Sequence, residues 1–293
     1  MARPMRLKYR IEAAFVRVAY VLFRALPVEA ASAIGGAIAR TIGPLLPISR
    51  EAETRLRRAI PDIGAAEAEK IVRRMWDNLG RVAGEYAHLD RIDRDDGGKR
   101  VEVVGAEHID ALRDDGIGGI FFSGHFGNWE ILPIAASRRG VPLTLVYREA
   151  NNPAVEEIIQ RARAGALSRH LAKGAAGARD LVSAIANGEH LGMLLDQKMN
   201  DGIPVPFFGR DAMTAPAMAR LALRYGCPVV PARVERTGPA RFRLTVYPPM
   251  HFDDTGDARA DTLAAMTRVN AIMEGWIRER PDHWLWLHRR WPD

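Results

Sequence analysis

A chain of 293 residues, 47% hydrophobic and 27% charged, carries enough apolar side chain to close a large core, which excludes disorder and suits one large α/β domain. Its one cysteine, Cys227, excludes a disulfide framework and a cysteine-based zinc site, and suits a reducing compartment. The formal charge of +6 lies at the N-terminus, where residues 1–50 hold eight Lys/Arg against Glu12 and Glu29; the rest of the chain is balanced, so charge gives no support to a nucleic-acid partner.

The first predicted element covers residues 11–28, a strongly apolar stretch in which Arg10, Arg17 and Arg24 fall on one helical stripe. The longest uncharged run there, residues 30–39, is well short of the ~18 apolar residues a simple spanning helix requires. The segment therefore predicts a helix that lies in the headgroup plane, or inserts with snorkelling arginines. Its basic leader would meet an anionic membrane surface at about 1 kcal/mol per charge. The competing reading is a core helix of a soluble domain. A cleavable signal peptide fits worse, because arginines interrupt the apolar stretch.

Residues 50–93 read as charged amphipathic helices broken at Pro61 and Gly64, forming a layer over a sheet. From Val101 the pattern alternates. Apolar β-type runs are predicted at 117–122, 142–147, 191–195, 228–234 and 242–246, with helices at 129–139, 154–164, 178–187 and 215–225. Gly140, Gly165, Gly188 and Gly226 are expected just past the helix ends. The fold class expected is α/β, with a mixed, largely parallel sheet flanked by helices and an N-terminal membrane-associating helical segment. In such sheets ligands sit where strands end and helices begin.

One junction stands out: Phe121-Phe122-Ser123-Gly124-His125-Phe126-Gly127-Asn128-Trp129-Glu130, a strand, a glycine-flanked turn and a helix start. A His in the turn and a Glu in the first helical turn can meet. Glu130 would then accept the Nδ1 proton of His125 and leave Nε2 free as a general base. Spacing alone is weak, since eight histidines among 36 acids give about one His-x4-acid match by chance and the chain has three. His88 with Asp93 lies in a charge-rich helical stretch and His288 with Asp293 ends the chain, so context selects His125 with Glu130. The chain has no G-x-S-x-G elbow, Walker A or zinc-type Cys/His cluster, so no cofactor or metal is expected and Ser123 is disfavoured as a nucleophile.

These residues resemble the bacterial lipid A biosynthesis (lauroyl/myristoyl) acyltransferase family of the lysophospholipid acyltransferase superfamily, whose signature is His-x4-Asp/Glu. Further blocks carry the resemblance in order: Tyr147-Arg148 with Asn152-Pro153; Asp196-Gln197; Phe207-Phe208-Gly209 with Ala212 and Thr214; and the tail Trp284-Leu285-Trp286-Leu287-His288-Arg289-Arg290-Trp291. The N-terminal anchor departs from the family, which usually has a clearer membrane helix.

The resemblance implies a glycerolipid acyltransferase-like catalytic domain over 49–293, with 1–48 as the membrane-associating segment. It implies a cytoplasmic-face inner-membrane enzyme moving an acyl chain from acyl-carrier protein to a hydroxyl of a lipid A precursor. His125 and Glu130 would be catalytic; Asn128, Arg148, Arg163, Asp196 and Gln197 would bind substrate. Arg148 suits a phosphate, and Asp196, at a strand end, suits orienting substrate or a catalytic neighbour. The helix start near 127–129 would offer amides to a developing oxyanion. Phe207 and Phe208 read equally as an acyl channel or as core, and the Trp-rich tail as core or as an interfacial belt. A lysophospholipid, an aminolipid or a glycosylated phosphoinositide stands as the alternative acceptor. A non-catalytic basic protein on membrane or nucleic acid is the distant alternative.

Overall fold

In the computed structural model, residues 6–92, 100–147, 149–164, 168–172 and 175–292 are described. Four helices open the chain: α1 (Leu7–Ala25), α2 (Val28–Ile42), α3 (Pro47–Ala59) and α4 (Ala65–Glu85). The predicted break at residues 61–64 falls between α3 and α4, where Pro61 ends one helix and Gly64 caps the next. A proline also starts α3, at N1 where its missing N–H costs nothing.

Beyond them lie β1 (Val101–Val104), α5 (Ala106–Asp114), β2 (Ile120–Ser123), α6 (Ile131–Arg138), β3 (Leu143–Tyr147), α7 (Pro153–Arg163), β4 (Arg169–Ala172), α8 (Ala175–Ala186), β5 (His190–Leu194), β6 (Ile203–Phe207), β7 (Arg210–Thr214), α9 (Ala217–Tyr225), β8 (Val229–Gly238), β9 (Arg241–Val246) and α10 (Ala258–Glu279). Seven strands form one sheet in the order β1-β9-β8-β2-β5-β3-β4, while β6 and β7 form a separate antiparallel hairpin. The sheet is parallel except at β8–β9, so it is the mixed, mostly parallel sheet expected. Gly140, Gly188 and Gly226 adopt the left-handed backbone that ends helices; Gly165 lies outside the described residues.

The hydrophobic strand β2 is buried along its length, with α3, α4 and α10 packed over one face and α5 and α6 over the other. The Trp-rich tail belongs to the first of these cores. Trp284, Trp286 and Trp291 are buried, as is Phe207, which stacks on Trp291, so the interfacial-belt reading of the tail and the channel reading of Phe207 both give way to core packing. Arg290 is buried as well, donating to Met213 O and Thr214 Oγ1.

The first two helices are built differently. α2 lies close against α4, where Gly35 meets Gly80 and Ala31 meets Gly84; a Cβ at either α4 glycine would collide with the α2 backbone. Its other side exposes Ile34, Ile38 and Ile42 at helical spacing. On α1, Leu7, Ile11, Phe15, Val18 and Leu22 form an outward stripe, Phe15 being 75% exposed, and only Ala13 is buried. A core helix would have these residues inside, each side chain gaining about 1.5–3 kcal/mol on burial. Of the predicted arginine stripe, Arg24 turns inward, donating to Ala87 O and the Asp90 carboxylate. Among the described residues no single helix is long and apolar enough to cross a membrane.

Candidate active site

Parallel register puts the central pair of side chains together. β2 and β5 are neighbours, with Ser123 opposite Leu194, so the residues two beyond each strand end, His125 and Asp196, leave the sheet side by side. The imidazole Nδ1 donates to Asp196 Oδ1 at 2.8 Å, and the His125 backbone N–H donates to Oδ2 at 2.8 Å. The indole N–H of Trp284 donates to the same Oδ2 at 2.8 Å. Asp196 is fully buried, and burial would raise its carboxyl. The adjacent His125 outweighs this through charge and two hydrogen bonds, and with a contribution from His288 holds the group well below the usual carboxylate range.

An ionised Asp196 on Nδ1 fixes the tautomer that leaves a lone pair on Nε2. That atom faces Gln197, whose amide nitrogen lies 3.4 Å from it and 3.3 Å from Nε2 of His288. The His288 ring is 5.0 Å from the His125 ring, and Trp129 packs on it at 4.9 Å. A cavity of about 210 Å³ opens at His125, walled by Trp129, Val146, Tyr147, Ile159, Arg163, Leu194 and Gln197. A smaller recess of about 60 Å³ adjoins it, shares Trp129, Val146, Tyr147, Arg163 and Leu194, and adds the apolar Leu132, Leu145 and Met193.

Glu130 does not occupy the place expected of it beside Nδ1. Its carboxylate is buried and accepts from the Tyr86 hydroxyl and from Arg163, whose Nε and Nη2 lie 3.0 and 2.6 Å away. The reason is geometric: residues 128–130 carry the chain into α6, which aims Glu130 at Tyr86, just past the end of α4, and at Arg163 of α7, while Asp196 meets His125 from just beyond the adjoining strand. Burial and the Glu130 charge raise the Tyr86 phenol well above its ordinary value. Burial would lower the Arg163 guanidinium, but Glu130 prevails and raises it, so the ion pair stays charged. Arg163 thus reaches the cavity wall with Glu130 as its counter-ion.

Asn128, expected on substrate, is fully buried. Its side-chain oxygen accepts the Glu130 N–H and its amide donates to Glu85 at 2.9 Å. Glu85 also accepts from Ser32 of α2 and both terminal nitrogens of Arg236, whose Nε donates to Asn78; Asn78 in turn donates to Gly127 O at 2.8 Å. This polar network fixes the turn from below. Gly127 has φ +52°, and a Cβ there would stand 2.5 Å from Val234 O, so only glycine fits. Of the amides expected near 127–129, that of Gly127 donates to His283 O; just beyond them, Glu130 N–H donates to Asn128 Oδ1 and Ile131 N–H to Asn128 O.

Arg148 lies outside the described residues. Sequence reasoning missed His288, which it set aside as an accidental pair with Asp293, and also Tyr86, Glu85 and Trp284. The signal for His288 and Trp284 was present in the tail block, but nothing local says that the tail returns to the sheet.

A family model described as bacterial lipid A biosynthesis acyltransferase matches residues 4–293. A "Lipid A biosynthesis acyltransferase" of Haemophilus influenzae is 24% identical over 243 residues, covering 80% of this chain and 73% of that protein. A "Phosphatidylinositol mannoside acyltransferase" of Mycolicibacterium smegmatis is 23% identical over 279 residues, covering 92% of this chain and 88% of that protein.

Proposed function

The chain belongs to the bacterial lipid A biosynthesis acyltransferase family and is an acyltransferase; from that premise we propose that it moves a fatty acyl chain from acyl-carrier protein to a hydroxyl of a lipid A precursor. The observation that carries the chemistry is the His125–Asp196 pair, whose imidazole lines the cavity while its carboxylate is buried behind it. Nε2 of His125 removes the proton of the acceptor hydroxyl, whose oxygen attacks the thioester carbonyl. The C–S bond then breaks, the leaving sulfur takes the proton back from the imidazolium, and a new ester remains. Asp196 holds the ring and offsets the imidazolium charge, so the helping carboxylate is Asp196, and Glu130 acts through Arg163 on the cavity wall. Gln197 presents its amide where the reacting atoms meet, and the apolar recess behind Trp129 suits the first carbons of the acyl chain.

The outward apolar stripes of α1 and α2 support a peripheral position on the cytoplasmic face of the inner membrane, with basic Arg6, Lys8, Arg10 and Arg17 against anionic headgroups. Phe15→Asp should weaken sedimentation with anionic vesicles while leaving the fold unchanged; equal sedimentation would remove this placement.

A second acceptor has a specific observation behind it, the similarity to a phosphatidylinositol mannoside acyltransferase over most of both chains. Transfer from labelled acyl-carrier protein, with a Kdo-bearing lipid A precursor, a lysophospholipid and a mannosylated phosphoinositide in competition, separates the readings. The expected result is acylation of the lipid A precursor by the wild type and a loss of about 10² to 10⁴ in rate for His125→Ala. Preferential acylation of another acceptor would keep the chemistry and overturn the substrate.

A further inference from the structure

One carboxamide stands between two imidazoles. The side-chain nitrogen of Gln197 lies 3.4 Å from Nε2 of His125 and 3.3 Å from Nε2 of His288, and the two rings are 5.0 Å apart. An amide nitrogen has two N–H donors and accepts nothing, so each imidazole nitrogen facing it is the acceptor. Gln197 therefore directs one hydrogen at the base and the other at His288. Both contacts are long, as catalytic hydrogen bonds often are before substrate binds.

Both ends of this arrangement are anchored. Gln197 directly follows Asp196, whose carboxylate is held by His125 and Trp284, and it lines the cavity of about 210 Å³ beside His125. His288 comes from the tail, where Arg55 donates to the carbonyls of Trp286 and Leu287 at 3.2 Å and the His288 carbonyl accepts from Arg290 N–H at 3.0 Å. Trp286 and Arg290 are fully buried on either side of it. A ring fixed in this way can hold one N–H of Gln197 while the other changes partner.

The reaction supplies that new partner. As the acceptor hydroxyl donates to Nε2 of His125 and then gives up its proton, Nε2 ceases to accept from Gln197. In the same step the O–C bond forms and the carbonyl electron pair moves onto oxygen. That oxyanion is two bonds from the oxygen Nε2 has deprotonated, so a donor beside Nε2 is also beside the oxyanion. We infer that Gln197 is a catalytic residue whose amide N–H switches its hydrogen bond from His125 to the oxyanion of the thioester carbonyl, with His288 as the positioning residue that keeps the amide in place. On collapse the electron pair returns to carbon, the C–S bond breaks and the sulfur takes the proton from Nε2. A donor freed as charge develops stabilises the transition state more than the ground state. The inference rests on His125 being the base for acyl transfer, as proposed above.

The test uses the full-length protein as wild type, His125→Ala, Gln197→Met, Gln197→Asn, His288→Leu, His288→Gln and the double variant Gln197→Met/His288→Leu, with thermal melts in parallel. Acyl transfer is followed from acyl-carrier protein charged with a thioester and with the matching dithioester, in which sulfur, a weak acceptor, replaces the carbonyl oxygen. Gln197→Met should lower kcat on the thioester about 10² to 10³, with donor and acceptor KM unchanged. The penalty should vanish on the dithioester, a result that a merely loosened site does not give. Gln197→Asn, which withdraws the amide by one carbon, should show the same donor dependence with a smaller loss, and it serves should the Met variant melt early. His288→Leu should cost about tenfold or more, and His288→Gln, which keeps a side-chain acceptor, should recover it. The double variant should be no slower than Gln197→Met, because His288 acts through Gln197. Four results overturn the role: a folded Gln197→Met within about tenfold of wild type, equal penalties on both donors, a change in KM alone, or additive losses in the double variant. A slow His125→Ala beside a fast Gln197→Met would sink this role and keep the proposed base. A fast His125→Ala beside a slow, donor-dependent Gln197→Met would do the reverse, and a wild type that transfers nothing overturns both.

Discussion

Replacing Asp196 by Asn is the sharpest perturbation the site offers, because it changes one proton and almost no volume. The carboxylate accepts three hydrogen bonds at 2.8 Å, from the ring and backbone of His125 and from Trp284. An asparagine oxygen placed at Oδ2 keeps the last two. Its NH2 then faces Nδ1 of His125, which must accept, so the imidazole proton moves to Nε2 and the base is lost. The same inversion in a Ser-His-Asp triad costs about 10⁴ in kcat, and we expect a loss of about 10³ to 10⁴ here with acceptor KM nearly unchanged. Stability should fall by only about 1–3 kcal/mol, the cost of weakening a buried charged acceptor. The assay is single-turnover acyl transfer at saturating acceptor, with thermal melts run in parallel. Glu130→Gln is the control: it keeps polar partners for Tyr86 and Arg163, so kcat should stay within about tenfold while stability drops by about 2–3 kcal/mol. An Asp196→Asn enzyme within tenfold of wild type would refute the assignment, as would a Glu130→Gln enzyme that melts like wild type yet is equally dead.

Two further outcomes follow from the turn and its support. Gly127→Ala must place a Cβ at φ +52° and 2.5 Å from Val234 O, so it should cost at least about 2 kcal/mol and lower kcat by moving His125; a melt and a rate equal to wild type would contradict this. His283, whose carbonyl accepts the Gly127 N–H, is pushed down from 6.5 to about 4 by burial, with Arg280 adding to the effect. The native state therefore resists a proton that the unfolded chain accepts, so stability is present above about pH 6.5 and is lost as pH falls towards 4. The linkage slope over that window is about 1.4 kcal/mol per pH unit. Urea midpoints between pH 7 and 4.5 should fall steeply in wild type and less so in His283→Gln, which can still accept from Arg280; parallel curves would refute the role.

Local pattern was enough for much of this protein. Apolar runs bounded by glycine and proline located five of the sheet's strands and four crossover helices to within a few residues, because period and turn chemistry are properties of neighbouring residues. The same logic identified the glycine-flanked turn that holds His125, and the resemblance in ordered blocks pointed to the family that residues 4–293 match. What pattern could not supply was direction in space. A spacing of five put Glu130 beside His125 on paper, but the turn into α6 sends that carboxylate to Tyr86 and Arg163.

The acid that meets His125 lies 71 residues further on, brought there by the parallel register of β2 and β5. Trp284 and His288 arrive from further still, carried back by α10. Likewise, hydrophobicity in residues 7–42 is visible in the sequence, but whether a helix face is inward or outward depends on what packs against it. Sequence thus determined the elements, the turn and the residue types the chemistry requires. Only tertiary structure decided which carboxylate serves which cation, because that choice is made by strand register and helix packing between segments that share no local signal.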